Sequence, residues 1–226
     1  FYGCSKIRGT IDIPDTVTFL GNFSFSHCSG FNTLQLGRGV TVLNENVFEY
    51  CTNLTLLTIP DWTVSIHSNS FAFCTGIRGV ITIPDSVTSI DSSAFSHCSG
   101  FTGLKIGSGL TEISDGCFEY CSSLTILTIP DSITSIGSSS FAYCIGIVGT
   151  LNIPNSVTRI GSSAFAHCTE IVELNIGLNV TEIESSVFEF CTSLATLSIP
   201  DWITSIGSSA FSHCTGIMGT LTISDS

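Results

Sequence analysis

The hydrophobic positions of this chain recur at a constant interval that its cysteines mark. Ten of the eleven cysteines follow a fixed rhythm, one longer interval and then two that are shorter by a single position, and the rhythm occurs three times. An apolar residue follows each of the ten by three positions, as Ile77 follows Cys74. A period of about 23 residues is typical of a solenoid, in which each repeat forms one coil, rather than of a single globular core. The ten positions are Cys4, Cys28, Cys51, Cys74, Cys98, Cys121, Cys144, Cys168, Cys191 and Cys214.

Three coils make a block, and the block occurs three times, as 5–74, 75–144 and 145–214. The whole chain is thereby assigned to one repeat array, with no residues left for a second domain. We expect partial repeats at 1–4 and 215–226, with nine full repeats between them: 5–28, 29–51, 52–74, 75–98, 99–121, 122–144, 145–168, 169–191 and 192–214.

Each coil contains a short run in which apolar and polar residues alternate. Leu57-Thr58-Ile59 and Leu104-Lys105-Ile106 are examples. A period of two predicts a β-strand whose apolar side chains point inward. The longer coil of each block carries an additional residue before this strand. We predict a bulge there, because a lost register would turn the strand's side chains outward.

The rest of each coil is punctuated by turn residues. Pro-Asp, as at Pro84-Asp85, or a glycine, as at Gly107, follows the strand and predicts a turn. A stretch such as Ser-Ser-Ala-Phe at 92–95 then precedes the cysteine. Its serine is a suitable helix N-cap, so a single short helical or 3₁₀ turn is expected there.

At this level of detail the repeat resembles the BspA-like class of leucine-rich repeats, whose units look like Leu-x-Ile-Pro-x-x-Val-Thr-x-Ile-Gly-x-x-Ala-Phe-x-x-Cys. The unit from Leu127 to Cys144 fits this consensus closely, and the resemblance covers the whole chain. It implies a leucine-rich repeat solenoid of the α/β horseshoe type, with a parallel β-sheet on the concave face and short helical turns and loops elsewhere.

The same resemblance has implications for function. It implies a protein displayed at the surface of a bacterium or a parasitic protist, where it adheres to host or neighbouring cells, and it supplies no catalytic residues. The expected location is therefore extracellular or at the cell surface. The chain begins and ends within a repeat and lacks polar capping units, so we expect it to be an excerpt of a longer protein.

Composition and charge restrict the partners. Hydrophobic residues make up 43% of the chain and charged residues 11%, with a formal net charge of −12. Such an acidic chain is poorly suited to nucleic acid, whose phosphates it would repel. No apolar run reaches the roughly 18 residues of a membrane helix, so this segment is not expected to insert into a membrane.

The cysteines and histidines are the candidates for chemistry. Cysteines in register on neighbouring coils keep their Cβ atoms near the coil spacing, which is wider than a disulfide favours, so free and buried thiols are expected. Zinc is disfavoured because no local pair such as Cys-x-x-Cys occurs. Acidic residues after the strands offer too few oxygens for calcium and fit a turn role better. No metal or other cofactor is expected.

Histidine precedes a cysteine four times, a pattern that also occurs in catalytic pairs and metal sites. Even the two nearest of these histidines, His167 and His213, lie two coils apart, or about 10 Å at strand spacing, so they cannot share one metal ion. Other coils hold tyrosine or phenylalanine at the same position. We therefore predict an aromatic ladder with a partly exposed rim: His27, Tyr50, Phe73, His97, Tyr120, Tyr143, His167, Phe190 and His213.

The outward positions of the strands are the remaining candidates. At the centre of the array one outward column is apolar, at Leu56, Val80 and Ile126, and the next is polar. An apolar patch with a polar rim is typical of a protein interface. We predict a non-enzymatic protein-binding or adhesion module whose partner is a protein, such as one on a host or neighbouring cell. The alternative is a structural spacer or surface-coat rod without a specific ligand. The predicted contact residues are Leu56, Thr58, Val80, Thr82, Lys105, Ile126 and Thr128.

Overall fold

The computed structural model describes residues 1–218 and 222–223. The final partial repeat, 215–226, is thus only partly described, because 219–221 and 224–226 lie outside these ranges. The described chain forms a parallel-strand β-solenoid of about nine turns, as predicted. Nowhere in the described residues does a helix reach the length and apolar character needed to cross a membrane.

Seventeen strands occur in the described part of the chain. In order they are β1 Gly9–Ile13, β2 Phe31–Leu36, β3 Val42–Leu43, β4 Ser65–Ile66, β5 Val80–Ile83, β6 Ser89–Ile90, β7 Gly103–Ile106, β8 Glu112–Ile113, β9 Ile126–Leu127, β10 Ser135–Ile136, β11 Gly149–Asn152, β12 Arg159–Ile160, β13 Ile171–Asn175, β14 Glu182–Ile183, β15 Ser198–Ile199, β16 Ser205–Ile206 and β17 Thr222–Ile223.

The strands form two sets of parallel ladders on two sides of the coil. The first set contains the alternating runs predicted from the sequence, paired as β1-β2, β5-β7-β9, β11-β13 and β15-β17. We call the surface that it presents the long-strand face. The second set pairs short strands from the other half of each coil, as β3-β4-β6, β8-β10-β12 and β14-β16. The predicted register is confirmed, since Thr82 pairs with Lys105 and Val80 with Gly103.

A glycine bulge accommodates the additional residue of the longer coils. Gly9, Gly79 and Gly149 have φ angles of 75°, 76° and 84°. The strand register shifts between Gly9 and Thr10 and again between Gly149 and Thr150. Glycine adopts a positive φ without the steric cost of a Cβ atom. The bulge predicted from the coil lengths is therefore confirmed.

The expected helical turn before each cysteine is wrong. In segment 91–98 the N–H groups of Ser93, Phe95 and His97 donate to carbonyl oxygens of the next coil, at 3.0, 2.9 and 2.7 Å. The N–H groups between them each donate to the carbonyl oxygen three positions earlier, and Ser93 and His97 have φ angles of 59° and 60°. Every second donor is committed to the neighbouring coil, so helical hydrogen bonds along the chain cannot form.

Two ladders fill the core behind these turns. One phenylalanine from each coil stacks on the next, with centroids separated by 5.3 to 5.8 Å from Phe25 to Phe211. The rings from Phe25 to Phe188 are buried, and Phe211 at the end of the stack is partly buried against the core. The cysteines from Cys28 to Cys214 line the adjacent column and are also buried.

Candidate functional site

The predicted apolar column lies on the long-strand face with its side chains in solvent. Leu56, Val80 and Ile126 are 59%, 52% and 66% exposed, although each is a large apolar residue. Val80 and Ile126 pair in register with Gly103 between them, and Leu56 joins the preceding coil through a bridge to Thr33. Successive side chains of a β-strand point to opposite faces. Ile81, which follows Val80, and Leu104, which follows Gly103, are buried, so the apolar column points outward.

Gly103 keeps the column continuous. It has no side chain, and the Cγ2 atom of Val80 lies 3.1 Å from the place where a Cβ at this residue would stand. Val80 therefore leans over the glycine toward the coil that carries Ile126. The apolar column thus runs from coil three to coil six, and Val80 covers the position in coil five that has no side chain.

Polar side chains flank this surface on the same strands. Thr58, Thr82, Lys105 and Thr128 are all exposed, and Thr82 lies beside Lys105 in the ladder. The structure thus brings all seven predicted contact residues onto one face in neighbouring coils. We call them the central patch. The geometry gives them the apolar middle and polar margin of an interface, and contact with a partner stays a prediction.

A groove of about 400 Å³ adjoins the central patch, and sequence reasoning missed it. It opens where the third coil leaves the ladder after Leu56, since within the described residues Leu57, Thr58 and Ile59 make no backbone–backbone hydrogen bond. Trp62 lines the groove, and its Nε1–H donates to the Gly37 oxygen at 3.1 Å. The available signal is that tryptophan stands in a column of mostly small residues.

The histidine column forms the predicted aromatic ladder. From His27 to His213 neighbouring rings are stacked at 4.2 to 4.5 Å. At least one phenylalanine or tyrosine ring separates every two histidines. Burial lowers the pKa of His97, whose Nδ1 lies 2.8 Å from the Ser96 hydroxyl. The prediction of an aromatic ladder is confirmed. Among the described residues, no group of three or more His, Cys, Asp or Glu side chains is placed to hold a metal ion.

The thiols occupy the interior and are hydrogen-bonded there. Each ladder Sγ from Cys51 to Cys214 donates to the carbonyl oxygen of the ladder phenylalanine in the preceding coil, at 3.0 to 3.4 Å. Burial raises the pKa of Cys98, Cys117 and Cys191. A protonated, buried thiol is a poor nucleophile and a poor metal ligand. The predicted burial is confirmed for the ladder cysteines from Cys28 to Cys214, whereas Cys4 is only half-buried. The reduced state of these cysteines stays a prediction.

The acidic residues after the strands join neighbouring coils. Oδ1 of Asp15 and of Asp85 accepts the N–H of Arg38 and of Ser108, each at 2.7 Å, and Asn155 receives the N–H of Leu178 at 2.9 Å. The hydrogen bonds from Ser108 lower the pKa of Asp85. These contacts fit the turn role that the sequence favoured.

Comparison with known proteins gives one family. A family model described as a BspA type leucine-rich repeat region, with six copies, matches residues 1–125, 64–148 and 146–225. These matches together cover almost the entire chain. No curated protein matches it.

Three solved structures are similar. A leucine-rich repeat protein of T. pallidum is 29% identical with a TM-score of 0.62, over 69% of this chain and 72% of that one. A leucine-rich cell surface protein of Faecalibacterium prausnitzii A2-165 is 26% identical with a TM-score of 0.52, over 93% and 80%. A leucine-rich repeat protein of Bacteroides ovatus ATCC 8483 is 23% identical with a TM-score of 0.57, over 96% of this chain and 67% of that one. At this identity the similarity supports the fold only.

Proposed function

Because this chain belongs to the BspA-type leucine-rich repeat family, we propose that it is a non-enzymatic module that binds a protein of another cell through the central patch. The observation that carries this proposal is the exposed apolar column of Leu56, Val80 and Ile126. Large apolar side chains in contiguous solvent-exposed positions mark interaction surfaces. The fold does not need them there, since the same column holds threonine at Thr10, Thr33 and Thr150.

A cell-surface location fits the similarity to a leucine-rich cell surface protein of Faecalibacterium prausnitzii. An adhesive role needs the module outside the cell, where a partner on a host or neighbouring cell is within reach. The histidines, thiols and acids described above all have structural contacts, which supports binding rather than catalysis as the function.

A second candidate function is that of a spacer rod. Small neutral side chains such as Thr10, Thr33 and Thr196 cover much of the long-strand face and favour this alternative. A spacer does not need to bind a partner through the central patch. The two functions therefore predict different outcomes when cell binding is measured.

The test uses a double substitution, Leu56→Asp with Ile126→Asp, in fluorescently labelled protein added to intact host or neighbouring cells. We expect flow cytometry to show loss of cell binding with an unchanged melting temperature, because neither side chain points into the core. Thr10→Asp with Thr196→Asp is the matched control, since it adds the same charges to the same column outside the central patch. Equal binding by parent and double variant would refute the central patch, and a parent that binds no cell would favour the spacer.

A further inference from the structure

The glycine bulge occurs once in each three-coil block, and its surroundings differ between blocks. In the first two blocks the residue before the glycine is arginine. The Nη1 group of Arg78 donates to the carbonyl oxygens of Thr75 and Ile77 at 2.6 and 3.0 Å. Arg8 makes the same two bonds, to Ser5 at 2.5 Å and to Ile7 at 3.3 Å. Each arginine side chain thus folds back and hydrogen-bonds to the backbone that precedes the glycine of its own bulge.

The arginine depends on a glycine in the following coil. A Cβ atom at Gly30 would overlap Nη1 of Arg8, and one at Gly100 would overlap Nη1 of Arg78. Side chains at both positions would therefore collide with the arginine. The first two blocks therefore have the same arrangement, in which the arginine of one coil packs over the glycine of the next coil.

The third block replaces this pair. Val148 stands where the other blocks have arginine, and Glu170 stands where they have glycine. Val148 is 60% exposed, and Ile145 three positions earlier and Val172 on the neighbouring coil are 45% and 42% exposed. We call these three apolar residues, with Glu170 and Glu173, the valine site.

The backbone explains why these side chains lie together in solvent. Gly149 pairs with Ile171 and Thr150 pairs with Glu173, so Val172 is the unpaired residue of the bulge. The Gly149 N–H donates to the Glu170 oxygen at 3.2 Å, which joins the two coils at this point. The bulge therefore sets Val172 outward beside Val148 on the neighbouring coil.

The fold does not require apolar residues at these positions. The residues equivalent to Ile145 are Ser5 and Thr75, and those equivalent to Val172 are Asn32 and Thr102. The same bulge thus forms twice with polar side chains. Exposure of three large apolar residues at the third bulge costs solubility without a benefit to the fold, which indicates an interaction surface.

The charge around the valine site is negative. Glu170 and Glu173 are exposed beside it, and Glu173 accepts a hydrogen bond from the Thr150 hydroxyl at 2.9 Å. After Lys105 the sequence contains a single lysine or arginine, Arg159, and its guanidinium pairs with Glu184 at 3.0 Å on the other side of the coil. No lysine or arginine of this region is left to offset the two carboxylates.

We propose that the valine site docks a segment of a partner protein in which apolar side chains alternate with lysine or arginine. The apolar side chains would cover Ile145, Val148 and Val172, while the basic ones meet Glu170 and Glu173. Complementary charges orient such a segment and speed its association, and the apolar contacts hold it. This site involves none of the residues of the central patch, so either can fail without the other.

The test converts the valine site into a copy of the second block. The quadruple variant Ile145→Thr, Val148→Arg, Glu170→Gly and Val172→Thr carries the residues that already fold around Gly79, so it is expected to melt like the parent. The probe is a fluorescein-labelled octapeptide of alternating leucine and arginine, followed by anisotropy at low salt. We expect the parent to bind it and the quadruple variant to bind it at least tenfold more weakly.

Two controls separate the site from general electrostatics. Asp131→Asn with Asp201→Asn removes two exposed negative charges elsewhere and should leave peptide affinity within twofold of the parent. An octapeptide of alternating leucine and glutamate should not bind. Equal affinity of parent and quadruple variant for the arginine peptide would overturn the proposal. So would sedimentation that shows a parent dimer and a monomeric variant, since the occupant would then be a second copy of this chain.

Discussion

At the scale of single residues, the ladder cysteine meets two requirements of its position. The carbonyl oxygen of Phe71 already accepts the N–H of Cys74 in its own coil, and it receives the thiol of Cys98 from the next coil at 3.0 Å. A carbonyl oxygen has two lone pairs, so both donors are accommodated. Alanine would leave the second lone pair without a partner, and cysteine supplies a weak donor while still packing as a small apolar residue.

This arrangement predicts that alkaline pH destabilises the fold. Burial raises the pKa of Cys98 and Cys117 in the folded chain, whereas an unfolded thiol ionises near pH 8.5. Their contribution to stability is present below that pH and declines as pH rises toward the higher folded-state pKa. Each of these two thiols should lower the free energy of unfolding by about 1.4 kcal/mol per pH unit above roughly pH 9.

Urea unfolding under reducing conditions between pH 8 and pH 10 measures this slope. The variant Cys117→Ala removes one thiol from a column of small residues that holds alanine at Ala94, Ala164 and Ala210. The decline of its free energy of unfolding with pH should therefore be less steep than the parent's by the contribution of one thiol. A free energy of unfolding independent of pH over this range would contradict the assignment of these cysteines as reduced and buried. Several disulfides in the mass of the non-reduced protein would contradict it as well.

At the scale of the element, the phenylalanine ladder supplies some of the largest fully buried side chains of the core. Phe141 is fully buried between Phe118 and Phe165, with ring centroids at 5.5 and 5.4 Å. Phe141→Ala would open a cavity in a stack whose neighbours cannot close it without breaking coil register. The expected loss is about 3 to 5 kcal/mol in the free energy of unfolding.

Chemical denaturation of Phe141→Ala and Phe19→Ala tests this expectation. Phe19 is a ring of the same size that lies in solvent, so its removal should change stability by less than about 0.5 kcal/mol. If the two variants lost the same stability, the ladder would not be the source of core energy that its burial indicates.

The elements differ in how well the sequence predicts them. Strands such as Ile81-Thr82-Ile83 follow from alternation alone, because the period of two depends only on which side chains are apolar. The turns before each cysteine cannot be predicted from such a pattern. A positive φ is expected of glycine, but residues such as Ser93 and His97 adopt it here. Serine at that position favours an N-cap interpretation, which the hydrogen bonds to the next coil rule out.

The same contrast holds for the surfaces. Leu56, Val80 and Ile126 are outward positions of strands, and their exposure follows from the alternating pattern. Val172 falls in neither outward column, because it is the residue that the strand pairing with the preceding coil skips. The groove at Trp62 opens where a backbone leaves its ladder. The tryptophan in a column of mostly small residues marks this position, but the departure itself depends on backbone hydrogen bonds that the pattern of residues does not specify.

At the scale of the whole molecule, the three-coil block recurs in the structure as it does in the sequence, with a glycine of positive φ at the start of each block, Gly9, Gly79 and Gly149. Each coil contacts its neighbours alone, so stability is approximately a sum over coils and their interfaces. Removal of residues 75–144 would join Cys74 to Ile145, and the next coil would begin at the same phase as the deleted one. The shortened chain should therefore fold.

Circular dichroism and thermal melting of this deletion check the expectation. The shortened chain should keep the parent's signal per residue and melt cooperatively. The matched control removes residues 75–132 and joins Cys74 to Ile133, in the second half of a coil. The coils after this junction would then be out of phase, with turn residues opposite the strands of the preceding coil. An in-phase deletion that melted no better than the control would show that the blocks are not interchangeable.

The parallel stacking of coils has a mechanical consequence. Each coil is joined to the next by its own rows of hydrogen bonds and ring contacts, as between Phe118 and Phe141. A force that pulls the two ends apart loads these junctions one after another from the ends. Every coil that peels away releases about 80 Å of extended chain, since each residue spans at most about 3.5 Å. A tether of this kind lengthens stepwise under load, and the remaining coils keep their surfaces intact.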